Sequence, residues 1–168
     1  MSDDRATARA FVERLFAAHH SEIYAYLCRM VRDDELAADL TQEAFVKAYR
    51  AYETLEDQNR ARAWLYQIAG RTALDELRRR KRSAELAVEP AGDEPVPEGE
   101  AEAAERRATV HVALASLEPR ERELIALKFH AGLSNAEIAD VLGVSASNAG
   151  TRVHRALARL REACHAPS

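Results

Sequence analysis

The sequence predicts an all-α protein, with two small helical domains joined by a flexible acidic linker. Three observations carry that expectation. Apolar residues recur at helical spacing through residues 6–32, 35–52, 63–82 and again beyond 106, and no segment alternates with period two between turn residues. Charge is partitioned along the chain. Residues 1–82 hold 15 Lys+Arg and 14 Asp+Glu, residues 83–105 none and 8, and residues 106–168 hold 9 and 6. The formal net charge of −4 therefore averages parts of about +1, −8 and +3 and does not argue against a polyanionic partner. The acidic stretch also carries three of the five prolines, two glycines and no aromatic residue. Such a composition cannot bury enough apolar area to offset its chain entropy.

The first domain spans 1–82 and reads as a three- to four-helix bundle. In "ATARAFVERLFAAHHSEIYAYLCRMVR", Phe11, Leu15, Ile23, Leu27 and Val31 share one helical face. Asp33 or Asp34 suits the N-cap of "ELAADLTQEAFVKAYRAY". The polar stretch "ETLEDQNRAR" reads as a loop into "AWLYQIAGRTALDELRRRKR". The end of that helix, "RTALDELRRRKR", holds six cations in twelve residues and follows Trp64 and Tyr66. A run as dense as Arg78 to Arg82 favours nucleic acid. Rings beside cations suit unstacked bases, although Trp64 reads equally well as core.

The second domain spans 106–168 and reads as four helices. "RRATVHVALASL" is the first. Pro119 belongs in the first turn of the next, which Gly132 ends. Ser134 and Glu137 form a capping box for "NAEIADVL", Gly143 closes it, and Ser145 caps the last helix. Two helices on a short Gly-containing turn are a helix-turn-helix, with Ile138, Ala139, Leu142, Val144 and Val153 as shared core.

The last helix opens with "SASNAGTRVHRALARLR" and is bare of long side chains at its start: Ser147, Asn148, Gly150 and Thr151. At 100° per residue, Ala149, Val153, Ala156 and Leu160 form its buried stripe. Ser147, Thr151, His154 and Arg155 lie opposite, with Gly150 on the flank and Arg152 and Arg159 to the side. The second helix of such a unit enters the DNA major groove. Thr151 then suits thymine, Arg155 suits guanine, and Arg152 and Arg159 suit phosphates. Small residues would let the backbone approach; Gly150 also reads as a tolerated surface glycine.

Three ordered segments, "DLTQEAFVKAYRAY" (39–52), "RAWLYQIAGRTALDELRRR" (62–80) and residues 117–162, resemble bacterial sigma factors of the extracytoplasmic-function group, the small two-domain members of the sigma-70 family. The resemblance covers nearly the whole chain apart from the linker and both tips. It implies that residues 1–82 are region 2 and residues 106–168 region 4. It implies that Asp39, Leu40, Gln42, Glu43 and Phe45 grip the clamp of core RNA polymerase. The loop from Leu55 to Arg62, including Asn59 and Arg60, would capture a flipped base of the −10 promoter element. The helix carrying Trp64, Gln67, Arg71, Arg78 and Arg79 would contact −10 DNA. Ser147, Asn148, Gly150, Thr151, Arg152, His154, Arg155 and Arg159 would meet the −35 element, and the same domain would touch the polymerase flap. An anti-sigma partner and a stress-response role are further expectations of the resemblance. Gly150 stands where the family often has Lys or Arg, and Arg71 where it usually has Asn.

No metal site, cofactor or catalytic residue is expected. The sequence holds no Gly-rich phosphate loop, no metal-spaced His/Cys set and no nucleophile beside a base; His19 and His20 are helix neighbours that point apart. Cys28 and Cys164 match no disulfide or metal spacing, and no apolar run is long enough for a bilayer or a signal peptide. A cytoplasmic, non-enzymatic protein is the expectation. The alternative reading is a stand-alone helix-turn-helix regulator that binds DNA without polymerase, which leaves "DLTQEAF" unexplained.

Overall fold

The structure, a computed structural model, describes residues 2–84 and 101–166. Among them every regular element is helical: α1 (Ser2–Val31), α2 (Asp34–Arg50), α3 (Ala61–Ala84), α4 (Ala101–Ser116), α5 (Pro119–Ile125), α6 (Asn135–Leu142) and α7 (Ala146–His165), with 3₁₀ turns at Tyr52–Thr54 and Gln58–Arg60. The predicted polar loop is thus two short turns, and α3 begins at Ala61 rather than Ala63. Of the expected linker, residues 85–100 lie outside the described residues. Its ends are helical: α3 runs through Ala84, and α4 starts at Ala101. The Ala- and Glu-rich segment 101–105 has the helix propensity for this, which its charge obscured.

Helices α1, α2 and α3 form the first bundle. Ile23, Tyr26, Leu27 and Met30 of α1 meet Ala37, Leu40, Ala44 and Phe45 of α2 and Leu65, Tyr66 and Ala69 of α3, all buried. The α1–α2 corner is tight. Arg32 sits at φ +56° and returns its N–H to the Cys28 carbonyl at 2.8 Å, and Asp33 caps α2 by accepting from the Leu36 N–H at 3.1 Å.

The second bundle follows its caps closely. Pro119 opens α5. Beyond it the chain widens into a π-helical turn, Ala126–His130, in which the Ala131 N–H reaches back to the Ala126 carbonyl at 2.9 Å. The capping box Ser134–Glu137 is made in both directions, at 3.1 and 3.4 Å. Gly132 and Gly143 both adopt φ +69°, the conformation that glycine tolerates at a helix end. Ser145 accepts from the Asn148 N–H at 3.1 Å and starts α7. The unit's core contains buried Ile138, Ala139 and Val153, with Leu142 and Val144 only partly covered.

The two bundles pack on each other. α6 and the π turn face α3 and α1, and α5 lies against both. The centre of the contact is the Glu123 side chain of α5, buried against Gly70 and Tyr26.

Candidate polymerase and nucleic-acid surfaces

The predicted polymerase residues divide by helix geometry. Asp39, Gln42 and Glu43 are exposed along one face of α2, and Glu43 pairs with Lys47 at 3.0 Å. Leu40 and Phe45 are buried in the first core. They fall on the opposite stripe of the 3.6-residue period and hold α2 in place. Two residues of this helix went unnoticed in the sequence. Val46 and Tyr49 are exposed large apolar side chains, at i+4 from Gln42 and i+6 from Glu43. Phe16 of α1, exposed and edge-on to Phe45 at 5.0 Å, adds to the first bundle's uncovered apolar surface. Exposed large apolar side chains gathered on one surface are a feature of partner-binding faces. The available signal was "FVKAY", whose Val and Tyr fall outside the core stripe.

The predicted −10 residues lie largely at the contact between bundles. Leu55 is half-buried and Asn59 exposed. Arg60 faces Asp140 at 3.7 Å. Arg62 is more deeply engaged. Its guanidinium donates to both Glu22 oxygens at 3.1 and 3.2 Å, donates to the Ala131 carbonyl at 2.8 Å, and lies 3.7 Å from Glu137. It also covers the Tyr66 ring at 5.5 Å, and the Glu22 carboxylate raises its pKa further. Trp64 is half-buried on the first core. Tyr66, expected beside the cations as a stacking ring, is wholly buried and edge-on to Tyr26 at 5.1 Å. It is a core residue, and burial pushes its phenol up to about 12.

Gln67, Arg71 and Arg78 line a cleft of about 350 Å³ with Arg120, Glu123, Val141 and Leu142 of the second bundle. Burial raises the Glu123 carboxyl to about 7, and the Arg120 charge opposes this only in part. The Tyr26 and Tyr66 hydroxyls are buried without a hydrogen-bond partner among the described residues. Farther along α3 the basic run is partly neutralised. Arg78 lies 3.7 Å from Asp75, and Arg79 and Arg80 share Glu76, whose pKa the Arg79 bond lowers.

Helix α7 divides into an exposed and a buried face. Ser147, Asn148, Thr151, Arg152, His154, Arg155 and Arg159 are exposed, while Ala149, Val153 and Ala156 are buried. Three details change the reading. The Thr151 hydroxyl donates to the Ser147 carbonyl at 3.1 Å, which leaves its methyl and lone pairs outward. Arg159 is held by Glu121 at 2.6 Å and is not a free phosphate donor in this arrangement. Gly150 does not open toward solvent. A β-carbon there would stand 3.2 Å from Asn135 Nδ2 at the start of α6, and Asn135 Oδ1 accepts from Lys128 at 3.1 Å. The glycine thus has an intramolecular reason, the close crossing of α6 and α7.

Family comparison agrees with these two units. The family model Sigma-70 region 2 matches residues 15–83 and Sigma-70, region 4 matches residues 107–160. The chain is 34% identical over 163 residues to RNA polymerase sigma factor CarQ of Myxococcus xanthus, covering 94% of this chain and 91% of that protein. It is 31% identical over 165 residues to ECF RNA polymerase sigma factor SigL of Mycobacterium tuberculosis, covering 96% and 93%. Among solved structures it is similar to CnrH in complex with the cytosolic domain of CnrY, with a TM-score of 0.66, 28% identity and coverage of 98% and 99%. The fold is also that of the sigma factor RpoE in complex with the anti-sigma factor NepR from Bartonella quintana, at a TM-score of 0.69 and 21% identity, covering 93% and 98%.

Proposed function

The chain belongs to the sigma-70 family and is a sigma factor of the extracytoplasmic-function group acting in transcription initiation, and we propose that its surfaces divide the work of promoter selection as follows. The exposed α2 face of Asp39, Gln42 and Glu43, extended by Val46 and Tyr49, binds the clamp of core RNA polymerase. Leu55, Asn59, Arg60, Arg62, Gln67, Arg71 and the end of α3 receive the −10 element, where base flipping and melting require a shaped pocket and cations for phosphate. The start of α7 enters the major groove at the −35 element. Arg155 and His154 face base edges, Ser147, Asn148, Thr151 and Arg152 support them, and the same domain meets the flap. The units are 1–82 and 106–168, and the acidic charge of residues 83–105 between them resembles that of RNA. The chain performs no chemistry of its own and works in the cytoplasm with polymerase. Among the described residues no helix is long and apolar enough to cross a membrane.

One observation carries this reading. A capped helix-turn-helix with an outward basic face shares a single chain with an uncovered carboxylate–apolar face on α2. A stand-alone regulator has use only for the first.

The engagement of Arg60 and Arg62 by Asp140, Glu137 and the Ala131 carbonyl supports a closed free state in which carboxylates of the second bundle occupy cations meant for DNA phosphate. Polymerase binding would separate the bundles. CnrH is solved with the cytosolic domain of CnrY, and the regulatory partner we infer for this chain is a protein that binds it in the same way, the anti-sigma factor that the sequence resemblance implies. Run-off transcription with reconstituted holoenzyme tests the assignment. Start sites should depend on both −35 and −10 sequences, and initiation indifferent to either element would contradict it.

A further inference from the structure

A second cavity, also of about 350 Å³, opens between the end of α1, α4, α5 and the π turn, and none of the residues assigned above lines it. Its volume lies in the ~300–1,000 Å³ range of small-molecule sites. We propose that it binds a nucleoside polyphosphate, with the phosphates on Arg29, Arg32 and Arg122 and the base against Phe129.

Charge argues for an anion. Three guanidiniums converge on this cavity, joined by His111 and His130. None of the three arginines pairs with a carboxylate among the described residues. The one carboxylate on the wall, Asp34, accepts from the Cys28 thiol at 3.7 Å. The Arg122 Nε–H is buried and has no acceptor among the described residues. A buried guanidinium N–H without a partner is costly, and a phosphate oxygen supplies the missing acceptor in charge-assisted form. Burial, most of all, and the neighbouring Arg32 charge depress the Arg122 pKa, and the Glu118 carboxylate offsets this only in part.

Backbone conformation adds a second, independent observation. Arg32 is the one non-glycine residue at positive φ among the described residues. At that helix end glycine would be the easier residue. The chain accepts the strain and carries there a guanidinium that lines the cavity.

The π turn supplies the third. Helices widen in this way preferentially at functional sites. Here it presents Phe129, 58% exposed, at the cavity wall beside His130. His130 Nε2 lies 3.3 Å from Arg29 Nη1, and burial with the Arg29 charge lowers its pKa, so neutral His130 accepts from Arg29 and aims it. An exposed ring next to clustered cations fits a base with attached phosphates better than a bare inorganic anion. Duplex DNA is too wide to enter.

Calorimetric titration of the full chain with ATP, inorganic pyrophosphate and adenosine tests the site. ATP should bind, pyrophosphate more weakly, and adenosine not measurably. Arg122→Gln should weaken ATP binding roughly tenfold or more. Since Arg122 is half-buried, Arg32→Gly is the decisive variant. It removes a guanidinium while relaxing the backbone, so it should fold at least as well and still lose ATP affinity. Phe129→Ala should bring ATP down to the level of pyrophosphate. ATP binding unchanged in Arg32→Gly and Arg122→Gln would assign it to diffuse surface charge and overturn the proposal. Pyrophosphate as tight as ATP in the unaltered chain would overturn the role given to Phe129.

Discussion

Gly70 of α3 and Glu123 of α5 are in such close contact that a β-carbon on residue 70 would stand 2.7 Å from Glu123 Oε1, and 2.9 Å from the Tyr26 hydroxyl. The contact joins the two sigma units through a position without a side chain. Gly70→Ala should therefore have opposite effects on its two levels of structure. α3 gains helix propensity worth about 1 kcal/mol, while the bundles are pushed apart. Far-UV circular dichroism should hold or rise, and the radius of gyration from small-angle X-ray scattering should increase. An unchanged radius would mean that Glu123 repacks freely and that the contact does not set the closed state.

Glu123 also makes closure depend on pH. Its carboxyl is raised to about 7 when buried and returns toward 4.5 when the bundles part. A raised acid favours the state that keeps its proton. The contribution to closure is complete below about pH 4.5 and is lost as pH rises through about 7. The difference is of the order of 3 kcal/mol at most. Energy transfer between labels on α2 and α7 should fall as pH rises from about 4.5 to about 7. Glu123→Gln should flatten the profile; a wild-type profile in that variant would place the titrating group elsewhere.

On α2, exposed and buried residues should fail differently. Asp39→Arg with Gln42→Ala should abolish core polymerase binding and leave the thermal midpoint unchanged, since both side chains are exposed. Val46→Asp should do the same. Leu40→Ala and Phe45→Ala, which empty core positions, should instead cost about 2–5 kcal/mol of stability. Unchanged affinity in the Asp39/Gln42 variant would remove the clamp assignment.

In the recognition helix, Arg155→Ala should reduce discrimination among −35 sequences by about 1–3 kcal/mol, as loss of a base contact does. Arg152→Ala should weaken all sequences alike, as loss of a phosphate contact does. Arg159→Ala should matter less to DNA, because Glu121 already holds that side chain. Uniform loss in the Arg155 variant would make it a phosphate contact instead.

Elements whose signals are local were legible in the sequence. Asp33, Pro119, Ser134, Gly143 and Ser145 act within one turn of the backbone, and each stands where its cap chemistry requires. The all-α class and the buried stripe of α7 follow from period alone. What depends on contact between distant segments was not legible. Tyr66 looks in sequence like a ring among cations, and only the crossing of α1 and α3 reveals it as core. Gly150 reads in sequence as an open position, and only the crossing of α6 and α7 brings Asn135 beside it. Arg62 looked like a free DNA contact and in this arrangement is occupied by Glu22 and the Ala131 carbonyl. The π turn has no simple residue code, so the site around Phe129 had no signal at all.

On this reading the chain selects promoters only as part of polymerase. The most direct measurement is equilibrium binding of the labelled protein to bacterial core RNA polymerase and, separately, to promoter duplex at near-physiological salt. The account predicts tight polymerase binding and negligible binding to duplex alone, because Arg60 and Arg62 are engaged within the closed chain. Tight duplex binding without affinity for polymerase would contradict it and make the protein an autonomous helix-turn-helix regulator.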